Sequence, residues 1–279
     1  MKDSIFKFEG YHVSYQIEGR GIPLILVHGF GEDKEVWNNQ VEVLKEFAQV
    51  IVVDLPGSGK SIKENPVFSD TDIANLSDMD FYVKMLYNLI NELKLKEVIM
   101  LGHSFGGYIT LGFAEQHHHL LSGFGLIHST AYADSEEKKI NRQRGIDLME
   151  KYSGFDFLKT SIPNLFTSDF KKDYPKQVDA YIERARKFET KTLQCYYRAM
   201  IARPDRTDVL RNATKPVLIV AGEQDVAVSV NDLLAQASLP MICMIHVFKE
   251  AAHSSMFESS EKLNFAIKEF IQMIDINNR

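Results

Sequence analysis

The sequence has few cysteines, no excess of positive charge and no long apolar run. Its two cysteines, Cys195 and Cys243, lie far apart without the spacing of metal ligands. We expect two free thiols in a reducing cytoplasm, with a single disulfide between them as the less favoured alternative. The formal net charge is −6, which gives no electrostatic reason to expect binding to nucleic acid.

Apolar runs such as residues 22–27 and 216–221 are far shorter than the roughly twenty residues that a membrane-spanning helix needs. Residues 1–9 alternate polar and apolar side chains and do not contain the apolar stretch of a signal peptide. The sequence therefore predicts a soluble, cytoplasmic protein without a membrane span.

Short apolar runs alternate with segments of helical spacing along most of the chain. Residues 5–9 and 11–18 predict a hairpin, with glycines as punctuation. The continuous apolar runs that follow are typical of strands buried on both faces of a parallel sheet; they are residues 23–28, 50–54, 98–101, 123–128, 216–221 and 242–248. This alternation predicts an α/β fold with a doubly wound, mostly parallel sheet.

The alternation stops after the sixth predicted strand, where a long charged and aromatic segment has helical character. We expect an α/β core formed by residues 1–129 and 212–279, and a helical lid or cap inserted at residues 130–211. Such sheets place their sites at the carboxyl edge of the strands, and the insertion is predicted to cover that edge.

A glycine-rich turn with the sequence GHSFGG, at residues 102–107, connects one of the predicted strands to a helix. A serine on a sharp strand-to-helix turn, with glycine two residues to either side, is the arrangement of a nucleophile elbow. The alternative is a plain glycine-rich turn that binds a phosphate or nothing. The dinucleotide pattern G-x-G-x-x-G requires a glycine where Ser104 stands, which favours a nucleophile.

A serine hydroxyl needs a base to take its proton and an acid to orient that base. The loops after the last two predicted strands supply Asp225 and His253, in the chain order expected for this type of fold. We assign Asp225 as the acid and His253 as the base. Asp225 could instead cap a helix, and other carboxylates compete for the acid role: Glu223, Asp232 and Asp134. His103 is interpreted as a spacer that points away from the site.

A developing oxyanion needs backbone N–H donors aimed at it. The residue after the nucleophile, Phe105, supplies one. The turn HGFG at residues 28–31 follows the third predicted strand, where Gly29 permits close approach and the Phe30 N–H is the expected second donor. A turn without this role is the alternative.

These motifs together resemble the α/β-hydrolase-fold superfamily, of the lidded serine esterase and acyl hydrolase type. The resemblance rests on HGFG at 28–31, DLPGSGKS at 54–61, GHSFGG at 102–107, GEQD at 222–225 and His253. Ser58 departs from the family pattern, which usually has histidine there. The segment 57–61 also resembles a phosphate-binding loop, but Asp54 stands where that loop requires glycine.

The resemblance implies a catalytic triad of Ser104, Asp225 and His253, with an oxyanion hole formed by the N–H groups of Phe30 and Phe105. It implies hydrolysis of a carboxylic ester, or a related acyl bond, in a small to medium apolar substrate through an acyl-enzyme. A C–C bond hydrolase or lyase, a lactonase, and a ligand-binding receptor with little turnover are the alternatives. We expect a small-molecule acyl substrate, no cofactor and no metal, since the consecutive histidines 117–119 cannot converge on one ion within a helix.

Overall fold

The computed structural model describes residues 2–277, with only the backbone of Asn277. Within these residues, nine strands form one sheet in the order β1-β2-β4-β3-β6-β7-β8-β9, with the short β5 paired to β2. The strands are β1 Ser4–Phe8, β2 Tyr11–Glu18, β3 Pro23–Val27, β4 Gln49–Val53, β5 Ile62–Lys63, β6 Val98–His103, β7 Leu121–Ile127, β8 Val217–Gly222 and β9 Cys243–Phe248.

The strands from β4 across to β9 run parallel, whereas β1, β2 and β5 are antiparallel. The central strands are buried on both faces because helices cover both, and this is why their sequences are continuous apolar runs. In β3, Ile25 and Val27 join one buried cluster, while Leu24 and Leu26 join the cluster on the opposite face. The predicted doubly wound, mostly parallel sheet is confirmed.

Helices follow most of the parallel strands and form the two outer layers. They are α1 Asn38–Leu44, α2 Asp70–Leu76, α3 Met79–Glu92, α4 Phe105–His117, α5 Glu136–Lys151, α6 Gly154–Ser161, α7 Ser168–Asp173, α8 Pro175–Arg184, α9 Thr190–Ala202, α10 Thr207–Arg211, α11 Val230–Ala237, α12 Ser255–Glu258 and α13 Ser260–Asn277. Helix α2 was not predicted from the sequence, although Ser69 and Asp72 form a reciprocal capping box at its start.

The chain between β7 and β8 is helical and contains α5 to α10. Tyr196 in α9 joins this insertion to the core, because its hydroxyl contacts both the Ser58 hydroxyl at 2.8 Å and the Pro56 carbonyl at 2.9 Å. The domain bounds stay a prediction, and Met1, Asn278 and Arg279 of the predicted core lie outside the described residues.

Cys195 is buried and Cys243 is half-buried, and both are free thiols. Among the described residues, no helix has the length and apolar character required to span a membrane.

Candidate active site

Ser104 occupies a sharp turn between β6 and α4. Its backbone has φ 49° and ψ −112°, a conformation that is costly for any residue with a side chain. Such strain persists only where the surrounding structure enforces it, and it concentrates at functional sites. The turn presents Ser104 at the carboxyl end of β6 and at the N-terminus of α4, as the elbow motif predicts.

Two glycines allow this turn because they let three backbone segments meet. A Cβ atom on Gly102 would lie 2.2 Å from the carbonyl carbon of Gly106, and one on Gly106 would lie 2.4 Å from the Val27 oxygen. Both neighbours are backbone atoms, so neither clash could be relieved by rotating a side chain. Strand β6, helix α4 and strand β3 therefore pack at distances that only glycine permits.

Asp225 and His253 lie side by side at the same edge of the sheet. Asp225 follows β8, His253 follows β9, and the distance from His253 Nδ1 to Asp225 Oδ2 is 2.7 Å. Both side chains are almost completely buried. The ring centroid of His103, the residue before Ser104, is 4.9 Å from that of His253, which places this pair next to the elbow. The structure thus brings the three predicted triad residues to one region.

A further histidine, His128, also faces Asp225. It follows β7 with φ 49°, is fully buried, and has its Nδ1 3.3 Å from Asp225 Oδ2. Its Nε2 lies 2.7 Å from the Ser255 hydroxyl. The Nδ1 atom lies near the carboxylate but has no hydrogen-bond partner, so His128 and Asp225 are in contact without a hydrogen bond between them.

The charge state of this cluster follows from its burial. Burial alone would raise the pKa of Asp225, but the facing imidazoles of His253 and His128 lower it well below its usual range. Burial lowers the pKa of His128 to about 4, and the nearby Asp225 opposes that shift only in part. Near neutral pH the site therefore contains an ionised Asp225 beside a neutral His128.

The same three side chains offer potential metal ligands. One ligand atom from each of His128, Asp225 and His253 lies within 4.8 Å of the others. In this structure the closest contact among them is the hydrogen bond between His253 Nδ1 and Asp225. This is the arrangement of a base oriented by an acid.

His103 is not a spacer, and this prediction is wrong. Its ring is buried, with Nδ1 2.9 Å from Glu32 Oε2 and Nε2 2.9 Å from the backbone oxygen of His253. Both ring nitrogens face acceptors, so the doubly protonated imidazolium satisfies both contacts. Burial opposes the charge, but the Glu32 carboxylate outweighs it and raises the pKa of His103.

Glu32 is the centre of a buried network that the sequence analysis did not find. Its Oε2 accepts the Gly29 N–H at 2.6 Å, and its Oε1 accepts the hydroxyl of Tyr181 in α8 at 2.7 Å. Burial raises its pKa, yet the charge and hydrogen bond of His103 dominate and lower it to about 2. Glu32 therefore connects the turn at residues 28–31 with His103 and with the helical insertion. Arg184, also in α8, pairs with the adjacent Asp33.

The two residues predicted to donate N–H groups to an oxyanion lie in a turn and at the start of a helix. Phe105 is the first residue of α4, where an N–H has no partner within the helix. Phe30 lies in the turn after β3, and its ring stacks on Tyr197 of α9 at 4.5 Å between centroids. Among residues 2–277, neither N–H is bonded to a backbone acceptor in a turn or loop.

The other carboxylates considered for the acid role have different surroundings. Glu223 is exposed, and Asp134 is buried between Arg142 and Arg203. Asp232 lies in the first turn of α11. Asp225 is the carboxylate that the structure places against His253.

Residues 24–264 match the sequence model of the alpha/beta hydrolase family. The chain belongs to this family. The match includes the elbow, both loops with Asp225 and His253, and the turn that contains Phe30. The resemblance inferred from the motifs is therefore confirmed at the level of the family and its fold.

This alpha/beta hydrolase is similar to the following three proteins. An (E)-2-((N-methylformamido)methylene)succinate hydrolase of Acinetobacter baylyi is 35% identical over 98 residues, which cover 35% of this chain and 34% of that protein. The chain thus matches about a third of the length of that relative. The uncharacterized hydrolase YugF of Bacillus subtilis is 26% identical over 94% of both chains. The solved structure of a malate-bound thermophilic esterase from Thermogutta terrifontis is 26% identical, with a TM-score of 0.87 over 98% of both chains.

The residues that sequence reasoning missed in this alpha/beta hydrolase are those joined over long separations. Glu32 and His103 are 71 residues apart, and Glu32 and Tyr181 are 149 apart. No local motif marks such pairs. His128 had one usable signal, since it is the last residue of the predicted strand 123–128 and so lies at the carboxyl edge, where such sheets place their sites.

Proposed function

We propose that this alpha/beta hydrolase is a serine hydrolase that cleaves a carboxylic ester of a small to medium substrate through an acyl-enzyme. The observation that carries the proposal is the buried His253–Asp225 pair, 2.7 Å apart, beside the strained turn of Ser104. A base oriented by an acid and placed next to a serine is the requirement for nucleophilic catalysis by a hydroxyl.

In this mechanism His253 takes the proton of Ser104 as the hydroxyl oxygen attacks the ester carbonyl. The N–H groups of Phe30 and Phe105 hold the oxygen that becomes negative. His253 then gives its proton to the leaving alcohol, and an ester between Ser104 and the acyl group remains. Water, activated by His253, hydrolyses that ester and restores the serine.

His128 and His103 fit this mechanism as positioning residues. The neutral His128 packs beside Asp225 without placing a second positive charge next to the imidazolium that forms on His253. His103 holds the backbone carbonyl of His253 and, through Glu32, the turn that carries Phe30. Both histidines therefore reduce the freedom of groups that must be in place before the reaction.

The helical insertion is proposed to act as a lid over this site. Tyr181 and Arg184 of α8 contact Glu32 and Asp33, directly beside the proposed oxyanion turn. Tyr197 of α9 covers Phe30 with an aromatic ring. Exclusion of water by these contacts would strengthen the hydrogen bonds to the oxyanion.

Hydrolysis of p-nitrophenyl esters from acetate to palmitate tests the proposal, with wild type and Ser104→Ala measured side by side. We expect turnover of the short and medium esters and a loss of about 10⁴-fold or more in kcat for the variant. Ser4→Ala, at the exposed start of β1, is the matched serine control and should keep full activity. More than a few per cent of activity in Ser104→Ala would exclude this mechanism.

A further inference from the structure

Two arginines of the helical insertion share one carboxylate. Arg142 in α5 pairs with Asp134 through its Nε, and Arg203, just after α9, pairs with the same carboxylate at 2.8 Å. Asp134 is fully buried, Arg203 nearly so, and Arg142 has 20% of its side chain exposed. Among the residues that the structure describes, neither arginine pairs with another carboxylate. The two arginines and Asp134 together therefore have a charge of +1.

The two arginines use their donors differently. Arg203 donates to the Met200 and Tyr132 carbonyls as well as to Asp134, and its guanidinium lies 3.8 Å from the centroid of the Tyr108 ring. Arg142 contacts Asp134 closely only through Nε, with a second contact at 3.5 Å from Nη2. Most of its five N–H donors are therefore not used by Asp134. The Nε of Arg203 also lacks a partner, but it is buried, whereas the partly exposed Arg142 is the member of the pair that a further acceptor can reach.

Aromatic contacts connect this cluster to the proposed active site. Arg142 is on the same face of α5 as the buried Ile146 and Met149, and its guanidinium is 5.2 Å from the centroid of the Tyr197 ring. That ring stacks on Phe30, the proposed oxyanion residue. Tyr108, whose ring contacts Arg203, lies in α4 one helical turn after Ser104. The excess positive charge thus lies against Tyr108 of the nucleophile's helix and against Tyr197, whose ring covers Phe30.

We propose that Arg142 forms a carboxylate-binding subsite, and that the preferred substrates are half-esters of small dicarboxylic acids. This inference rests on the proposed function, since the ester carbonyl must lie at Ser104. A buried excess charge is costly unless it is paired, and a substrate carboxylate would pair it. The planar guanidinium binds a carboxylate through two parallel hydrogen bonds. The acyl chain would be apolar near the carbonyl and anionic at its far end.

Ethyl hydrogen succinate and ethyl butyrate test this subsite, because their acyl groups have the same number of carbons and differ in charge. A pH-stat measures kcat/KM for both. We expect wild type to prefer the succinate half-ester, and Arg142→Gln to lower the ratio of the two kcat/KM values about 10- to 100-fold, the range expected for hydrogen bonds to a charged group. Arg144→Gln, at an exposed position of the same helix, should leave the ratio unchanged.

An unchanged ratio in Arg142→Gln, with both esters hydrolysed more slowly, would mean that Arg142 only fixes the insertion in place. Binding of succinate to Ser104→Ala, measured by calorimetry, separates the subsite from the chemistry. Succinate binding that disappears with Arg142→Gln, in a protein that hydrolyses no ester, would support the subsite and overturn the proposed function. Ester hydrolysis without succinate binding would support the proposed function and overturn the subsite. Should Arg142→Gln fail to fold, competitive inhibition of the wild type by succinate decides, and its absence overturns the subsite.

Discussion

The Nε2 atom of His103 lies 2.9 Å from the backbone oxygen of His253. The residue before the proposed nucleophile thus fixes the loop of the proposed base. Through its other nitrogen, His103 also holds Glu32, which accepts the N–H of Gly29 beside the proposed oxyanion turn. One imidazolium therefore connects the loops after β3, β6 and β9, and these contacts determine how firmly the site is preorganised.

Replacing Asp225 with Asn should show how much Asp225 contributes to catalysis and how much it contributes to folding. The amide cannot stabilise the imidazolium of His253 and would favour the wrong tautomer, so we expect kcat to fall about 10⁴-fold. Ester hydrolysis and thermal unfolding of the variant measure the two effects. Glu223→Gln, an exposed carboxylate in the same loop, is the matched control and should keep full activity. Activity of Asp225→Asn close to wild type would assign the acid role to another carboxylate.

Glu32→Gln should lower stability in a pH-dependent way. The carboxylate has a pKa lowered to about 2 from 4.5, so its contribution is present above pH 4.5 and is lost as the pH falls towards 2. The pKa of His103 is raised above 6.5, so its contribution is present below pH 6.5 and is lost as the pH rises through the raised value. The difference in stability from wild type should therefore be largest between about pH 4.5 and 6.5, at about 3 kcal/mol.

Thermal unfolding of wild type and Glu32→Gln from pH 3 to pH 9 measures this difference. Glu42→Gln is the control, because Glu42 forms an exposed pair with Lys45 and should change the melting temperature little at any pH. A difference that stays constant over the whole range would show that Glu32 and His103 are not an ion pair.

Tyr181→Phe should loosen the contact between α8 and the core. The hydroxyl donates to Glu32 at 2.7 Å in a buried setting, so its removal leaves a carboxylate oxygen without this donor and should cost about 1–3 kcal/mol. Hydrogen exchange should become faster in the peptide that contains α8. Tyr174→Phe, a half-exposed tyrosine of the same insertion, is the control. Equal exchange in the two variants would mean that the Tyr181 hydroxyl does not hold the helix.

Gly106→Ala tests the close packing beneath the elbow. The new Cβ would lie 2.4 Å from the Val27 backbone oxygen, so α4 must move away from β3, at a cost of about 3 kcal/mol. Gly10→Ala is the comparison, since it has a positive φ but no neighbour within 4 Å of the added atom. It should cost about 1–2 kcal/mol from backbone strain alone. Denaturant unfolding of both variants measures the difference, and equal costs would contradict the close contact.

The sequence was sufficient for features that depend on neighbouring residues. The apolar runs identified the central strands because burial on both faces leaves few positions for polar side chains. The turn at Ser104 could be predicted because its glycines stand at fixed offsets from the serine. The positions of Asp225 and His253 followed from chain order and from the rule that parallel strands end at one edge of the sheet.

Contacts between distant segments could not be predicted in this way. The role of His103 could not be read from its neighbours, because its partners, Glu32 and the His253 carbonyl, lie 71 and 150 residues away in the chain. The contact between His128 and Asp225 exists only because β7 and β8 lie side by side in the sheet. The charge imbalance around Asp134 likewise becomes visible only after α5 packs against α9.

The late position of His253 has a consequence for synthesis of the protein. This residue follows β9, which pairs with β8 at the edge of the sheet. The ribosome therefore adds Ser104 well before the residue proposed to activate it. On the proposed mechanism, hydrolytic activity therefore begins only when the last strand is in place, and its recovery during refolding would report completion of the whole sheet.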